Sequence, residues 1–215
     1  SDYKNDDSFG TLRSYLVKDN GQDRLGRLAS RYDVEPDEEI RGRIKWEHRQ
    51  YLPQNWQATV RFNYLSDKNF LENWYEREFD REPDPETSVY LKQQENNWAF
   101  NLLYSFHLNE FAYDFVQEPR AGLYLAGQDL FDMFVYQHDG YTARYQEIAG
   151  QRLAPGFNGI EELSAFPDII NQERTSFGVS RHELTLPLHA GSFNFVPTAI
   201  GTYVFSDYQG DFGFD

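Results

Sequence analysis

The sequence predicts an all-β protein: an antiparallel, up-and-down transmembrane β-barrel segment of about nine strands, with no domain boundary within residues 1–215. Three observations lead there. Polarity alternates with a period of two along most of the chain, the signature of a half-buried strand, while helical periodicity is nearly absent. Aromatic residues bracket the apolar parities. The segments between strands alternate between short and long, as they do in a barrel with tight turns at one rim and loops at the other.

The alternation is clearest over residues 56–64. Trp56, Ala58, Val60, Phe62 and Tyr64 share one parity, and Gln57, Thr59, Arg61 and Asn63 share the other. In "EIRGRIKWEHRQ", Ile40, Gly42, Ile44, Trp46 and His48 alternate with Arg41, Arg43, Lys45, Glu47 and Arg49. In "NNWAFNLLYSFHL", Trp98, Phe100, Leu102, Tyr104 and Phe106 stand opposite Ala99, Asn101, Leu103, Ser105 and His107. Further strands are expected near 8–19, 87–95, 111–126, 131–146, 173–189 and 193–206. Eight tilted residues rise roughly 20–25 Å, close to the apolar band of an outer-membrane barrel. Trp46, Trp56, Phe62, Tyr64, Trp98, Phe100 and Tyr104 are then the expected lipid-facing and girdle residues. A soluble β-sandwich that binds glycans through exposed Trp and Tyr alternates in the same way, and a general porin or small closed barrel of eight to ten strands fits the length.

The connections test the barrel reading. Long segments fall near 20–38, 66–86 and 147–172, and short ones near 50–55, 95–97, 127–130 and 190–192. Under nine strands all the long ones lie on one side and all the short ones on the other. The short connection near 108–110, on the long side, is the exception. Within 66–86, Phe70, Trp74 and Tyr75 recur at near-helical spacing, so a short amphipathic helix is expected there, with Pro83 and Pro85 stiffening the rest. Pro187 and Pro197 lack a ladder donor and should mark bulges, edges or strand ends.

Composition narrows the function. The net charge is −15 and the pI about 4.7, which argues against a nucleic-acid partner, since phosphate binding needs clustered Lys and Arg. Mean hydropathy is −0.74, and no apolar run reaches the roughly 20 residues of a membrane helix. There is no cysteine, so neither a disulfide nor a thiolate metal site is possible. The chain opens at Ser1 on a polar, acidic stretch, where an exported protein is expected to be a processed or partial chain.

The stretch "RGRIKWEHRQYLPQNWQATVRFNYLSDKNFLENWYEREFD" resembles the barrel of the lipopolysaccharide-assembly family LptD, also called organic solvent tolerance protein. "WEHRQ", a short turn, "NW" and then "YLSDKNFLENWYEREFD" carry the likeness. "ETSVYLKQQENNWAFNLLYSF" and "RHELTLPLHAGSFNFVPTAIGTYVFSDY" are also similar to that family's strands and turns. The resemblance implies a barrel of some 26 strands that passes lipopolysaccharide into the outer leaflet of a Gram-negative-type outer membrane. It also implies an LptE-like lipoprotein plug in the lumen and periplasmic lipopolysaccharide-bridge proteins as partners. This stretch would supply about a third of such a barrel, and it carries no cysteine where the family usually has them.

Candidate chemistry follows from the polar parity. If Arg41, Arg43, Lys45, Arg49 and Arg61 face the lumen, they can form charge-assisted hydrogen bonds with phosphate or carboxylate groups of a lipopolysaccharide core. The alternative is that they pair with Glu47 and with acids on neighbouring strands. "DREPDPE" (Asp80, Glu82, Asp84, Glu86) offers oxygen ligands for Ca²⁺ or Mg²⁺ but lacks the glycine turn of an EF-hand, so a solvated loop is expected. The histidines, His48, His107, His138, His182 and His189, lie far apart without a ligand spacing. A Ser–His arrangement of His182 with Ser180 or Ser176 also fits simple strand alternation. No enzyme, cofactor or metal site is expected.

Overall fold

The computed structural model describes residues 1–25, 32–36, 38–82, 85–112, 114–148 and 174–207. Its strands are β1 (Asp2–Lys4), β2 (Ser8–Lys18), β3 (Asp23–Arg24), β4 (Tyr32–Val34), β5 (Ile40–Leu52) and β6 (Trp56–Leu65), followed by the helices α1 (Phe70–Trp74) and α2 (Glu76–Phe79). Then come β7 (Thr87–Gln94), β8 (Trp98–Phe106), β9 (Asp114–Leu130), β10 (Phe134–Ile148), β11 (Thr175–Thr185), β12 (Leu188–Ala190), β13 (Phe193–Phe195) and β14 (Thr198–Ser206).

Ten strands form one antiparallel sheet in the order β1-β2-β5-β6-β7-β8-β9-β10-β11-β14. The nine expected strands are all present, and β1 is added at the front. The remaining four strands form two separate two-stranded ribbons, β3–β4 and β12–β13. The chain therefore meanders up and down. No second large sheet packs on the first among the described residues, which removes the sandwich. The sheet is also open: its ends, β1 and β14, do not pair with each other, as a small closed barrel would require.

Register places the expected faces. Across β5 and β6, Trp46 pairs with Phe62 and Ile44 with Tyr64, while Lys45 pairs with Asn63 and Glu47 with Arg61. The apolar side continues through Val60–Val89, Leu91–Leu102 and Gln93–Phe100, to Phe100–Leu123. It stays open to the surroundings: Leu16 is 76% exposed, Ile40 63% and Tyr203 66%. The opposite side is polar from β5 to β8 but becomes mixed further on, where the Tyr141 and Tyr145 rings pack at a tilt against Phe177.

Boundaries shift where the sequence was ambiguous. β9 runs on to Leu130, so the turn expected at 127–130 lies at 131–133, where Phe131 and Asp132 take left-handed backbone conformations. The first short turn does the same at Gln54 and Asn55. The strand expected over 173–189 ends at Thr185, and β14 begins only at Thr198. Pro187 and Pro197 flank the β12–β13 ribbon, at strand ends as their missing donor requires. The stretch 108–110 lies inside a seven-residue connection between Phe106 and Asp114. Most of the expected 147–172 loop, together with Pro83 and Asp84, lies outside the described residues.

Two glycines let rings lie flat on the sheet. A Cβ on Gly10 would strike the Tyr3 hydroxyl, and one on Gly178 would strike the Phe205 ring. Bulky residues at either place would lift these aromatics off the ladder. The small buried core lies on the polar side of the sheet, under the expected helix. It consists of Leu65, Phe70 and Leu71, packed by Tyr15, Tyr75, Phe79 and Phe111.

Candidate functional site: the cationic row and the loops folded over it

The charged parity of β5 does not stand free in solvent. Arg41 is fully buried. Its Nε and Nη2 donate to the two carboxylate oxygens of Asp67, at 3.0 and 2.9 Å. Its Nη1 donates to Asp19 at 3.1 Å and to Asp23. One guanidinium thus gathers acids from the long connection before β5 and from the one after β6. The planar fork of arginine suits this, since it satisfies several carboxylates in one plane. Asp67 is further fixed by donation from the Ser66 hydroxyl and the Asn69 amide.

Further along the strand, Arg43 Nη1 donates to Glu78 on α2 at 2.8 Å, and its guanidinium lies 4.0 Å from the centre of the Tyr75 ring. Lys45 reaches Glu78 and, more loosely, Glu47 and Glu82. α1 and α2 are too short to be stable alone. They are held by this ion-pair row beneath and by Phe70 and Leu71 in the core. A third connection joins from β8: the Asn109 side chain accepts from the Leu65 amide at 2.9 Å and donates to the Asn63 carbonyl.

The two acids at the ends of this clasp titrate in opposite directions. Burial raises the Asp23 pKa, and the Arg41 contact offsets this only in part, with Asp67 and Asp19 adding repulsion. Asp23 Oδ2 is buried without a hydrogen-bond partner, which marks where a proton would sit. For Glu78 burial also raises the pKa, but hydrogen bonds and charge from Arg43 and Lys45 outweigh it and the net shift is downward.

Beside the clasp is an open cleft of about 720 Å³, lined by the cations Arg13, Lys45, Arg77 and Arg81 and the acids Glu76, Glu78 and Glu82, with Trp74 and Tyr75. Of the five cations singled out in the sequence, then, Arg41 and Arg43 hold loops and Lys45 borders the cleft. Arg49 lies over the Phe9 ring, 5.3 Å from its centre. Arg61 is half-exposed, 3.8 Å from Glu86. Arg13, Arg77 and Arg81 were not singled out. Arg13 is the cross-strand partner of Lys45, a relation that pairing two strand patterns in the sequence could have exposed.

The aromatic residues expected to face outward share the apolar side. Trp46 stacks on His48 and donates to the Tyr3 hydroxyl at 3.0 Å. Trp56 meets Phe100 edge-on, and Tyr104 packs on Phe106. Tyr64 is exposed, and Phe62 and Trp98 are half-exposed.

The histidines are less scattered than their spacing implied. His138 and His182 are direct cross-strand partners on β10 and β11. Ser180 Oγ lies 2.9 Å from His182 Nε2, but the other ring nitrogen faces the Tyr136 hydroxyl rather than a carboxylate. The pair therefore lacks the acid that orients a hydrolytic Ser–His couple. Ser176 instead takes its contact from Asp207 through its backbone amide. Among the described residues no group of three or more His, Asp or Glu side chains has metal-binding geometry.

Residues 39–120 match the family model described as LptD, LPS transport system D. No curated protein matches the chain. The matched segment runs from the start of β5 into β9 and contains Arg41, Arg43, Lys45, Asp67, Glu78 and both helices. The family is one of transport and assembly rather than of enzymes. Over residues 39–120, the chain is thus similar to part of an LptD domain.

Proposed function

We propose that the chain forms part of the wall of a larger β-barrel in a Gram-negative-type outer membrane, and that this barrel passes lipopolysaccharide toward the outer leaflet. The observation that carries this reading is the LptD match over β5 to β8, where Trp46, Val60, Phe62 and Phe100 share one face with the exposed Ile40, Ile44, Tyr64 and Tyr104. Such a face is stable against lipid, whereas in water it would be an aggregation surface. The other face, with its inward-folded loops, then borders the lumen. An LptE-like lipoprotein plug would meet that face, and periplasmic lipopolysaccharide-bridge proteins would deliver from the short-turn side. A general porin remains the competing function for the same wall.

In this reading the five cations divide the work. Lys45, with Arg13, Arg77 and Arg81, offers the phosphates of a lipopolysaccharide core a charged cleft, and Arg49 and Arg61 extend the charge along the wall. Arg41 and Arg43 shape the cleft by holding its roof. The test is photocrosslinking in cells carrying the whole protein, with a photoreactive residue in place of Trp74. Lipopolysaccharide adducts are expected, and Arg13→Gln with Lys45→Gln should reduce them severalfold while leaving the fold intact. No adducts, or adducts indifferent to both substitutions, would remove lipopolysaccharide from this cleft.

A further inference from the structure

The chemistry left unused lies on the opposite face, outside the matched segment. Four polar side chains of β10 and β11 are joined there on an otherwise apolar surface. His138 Nδ1 lies 3.1 Å from the Leu123 carbonyl, and His138 Nε2 lies 3.1 Å from Ser180 Oγ. Ser180 Oγ lies 2.9 Å from His182 Nε2, and His182 Nδ1 lies 2.7 Å from the Tyr136 hydroxyl. The two rings are 4.9 Å apart, centre to centre.

We propose that His138 and His182 form a binding site for a divalent transition cation of the Zn²⁺, Cu²⁺ or Ni²⁺ class, with Ser180 between them. It does not depend on the proposed transport role. The argument begins with proton placement. A carbonyl only accepts, so His138 carries its proton on Nδ1 and presents a bare lone pair at Nε2. Without a metal, the Ser180 hydroxyl donates to that lone pair and accepts from His182 Nε2–H. Tyr136 in turn donates to His182 Nδ1. Tyrosine oxygen can also accept, so His182 can move its proton to Nδ1 and bare its own Nε2.

Both imidazoles then have Nδ1 anchored on an oxygen and Nε2 directed at one point. That is the outer-shell arrangement by which proteins orient histidine ligands. Imidazole selects Zn, Cu and Ni, and the carboxylates next to the two histidines along their strands, Asp139 and Glu183, have the opposite parity. Space is available as well. Gly140 admits the His138 ring, and a Cβ on Gly201, the cross-strand partner of His182, would meet nothing within 4 Å. His138 is the fifth residue of β10, so the pair sits near the short-turn rim, where solvent can complete the coordination.

The test uses tag-free full-length protein stripped with EDTA and titrated with Cu²⁺, read by electron paramagnetic resonance, with Zn²⁺ as competitor. One saturable Cu²⁺ per chain is expected, with nitrogen coupling from two imidazoles. His138→Gln and His182→Gln should each weaken it at least tenfold. Tyr136→Phe should weaken it about 10–100-fold, as loss of an outer-shell partner does. On unmodified protein, Zn²⁺ should protect His138 and His182 from diethylpyrocarbonate while His48, His107 and His189 still react. A one-nitrogen signal, dependence on only one of the two histidines, or no selective protection would overturn the site.

Discussion

Arg41 and Asp67 form a two-point ion pair in which both partners are buried, one from the start of β5 and the other from the connection that climbs back over the sheet. The connections before β5 and after β6 both meet at this pair. Asp67 also fixes the first residues of the turn into α1, so the geometry of the guanidinium sets where the helices begin.

Breaking such a pair from one side costs about 3–5 kcal/mol, because a buried charge is left without its partner. Asp67→Asn should fall near the low end, about 3 kcal/mol, since Asp19 and Asp23 still contact Arg41. Arg41→Met should cost more, because it leaves three acids facing one another. Chemical denaturation ranks the two variants, and limited proteolysis within 66–82 should quicken in both. A ranking in which Asp67→Asn is the worse would contradict the clasp.

Acid should open the two ends of the row in order. The Glu78 pKa is depressed, so its stabilisation is complete above the ordinary value of 4.5 and is lost as pH falls through the lower folded value. Asp23 has the opposite sign. Its folded pKa lies above the ordinary 3.8, so the folded state takes up a proton first and gains relative to the unfolded chain as pH falls. Hydrogen exchange below pH 4.5 should therefore show α2 amides losing protection before those near Asp23. Simultaneous loss would mean the two contacts are not separate.

Charge on the two faces should have unequal effects. Val60 lies on the apolar side and Gln57 on the polar side beside Lys92. In an outer-membrane setting Val60→Arg costs about 2–4 kcal/mol near the midplane. Gln57→Arg should cost far less. Yield of heat-modifiable, membrane-inserted protein is the measurement, and equal yields would count against lipid on the Val60 side. Asn63 is a poor control despite its polar parity, because it is buried and its amide donates to the Glu86 carbonyl.

The strands and their faces were legible because a period of two is a local property: Trp46, Phe62 and Phe100 needed no partner to declare their side. The short helix was legible from Phe70 and Trp74 for the same reason. What the loops do was not. Arg41 finds Asp19, Asp23 and Asp67 across 18 to 26 positions, and nothing local distinguishes those acids from the many others in an acidic chain. The His138–His182 pair was hidden similarly, since two histidines 44 positions apart meet only once the β10–β11 register is known. Turn positions slipped by a few residues because β9 carries alternation through Gly127 to Leu130, where glycine in the left-handed region makes a bulge rather than a turn.

Apart from the two small ribbons, every strand of the sheet pairs with its nearest predecessor and successor. The entropy of closing each contact is therefore that of one connecting segment, and it grows only slowly with that segment's length. Such a chain can be assembled like a zipper, one hairpin at a time, with no distant closure needed to make the next step favourable. The growing end would always be a bare edge. β14, exposed at all nine of its positions, is left as that edge, a ready template for whatever strand comes to it next.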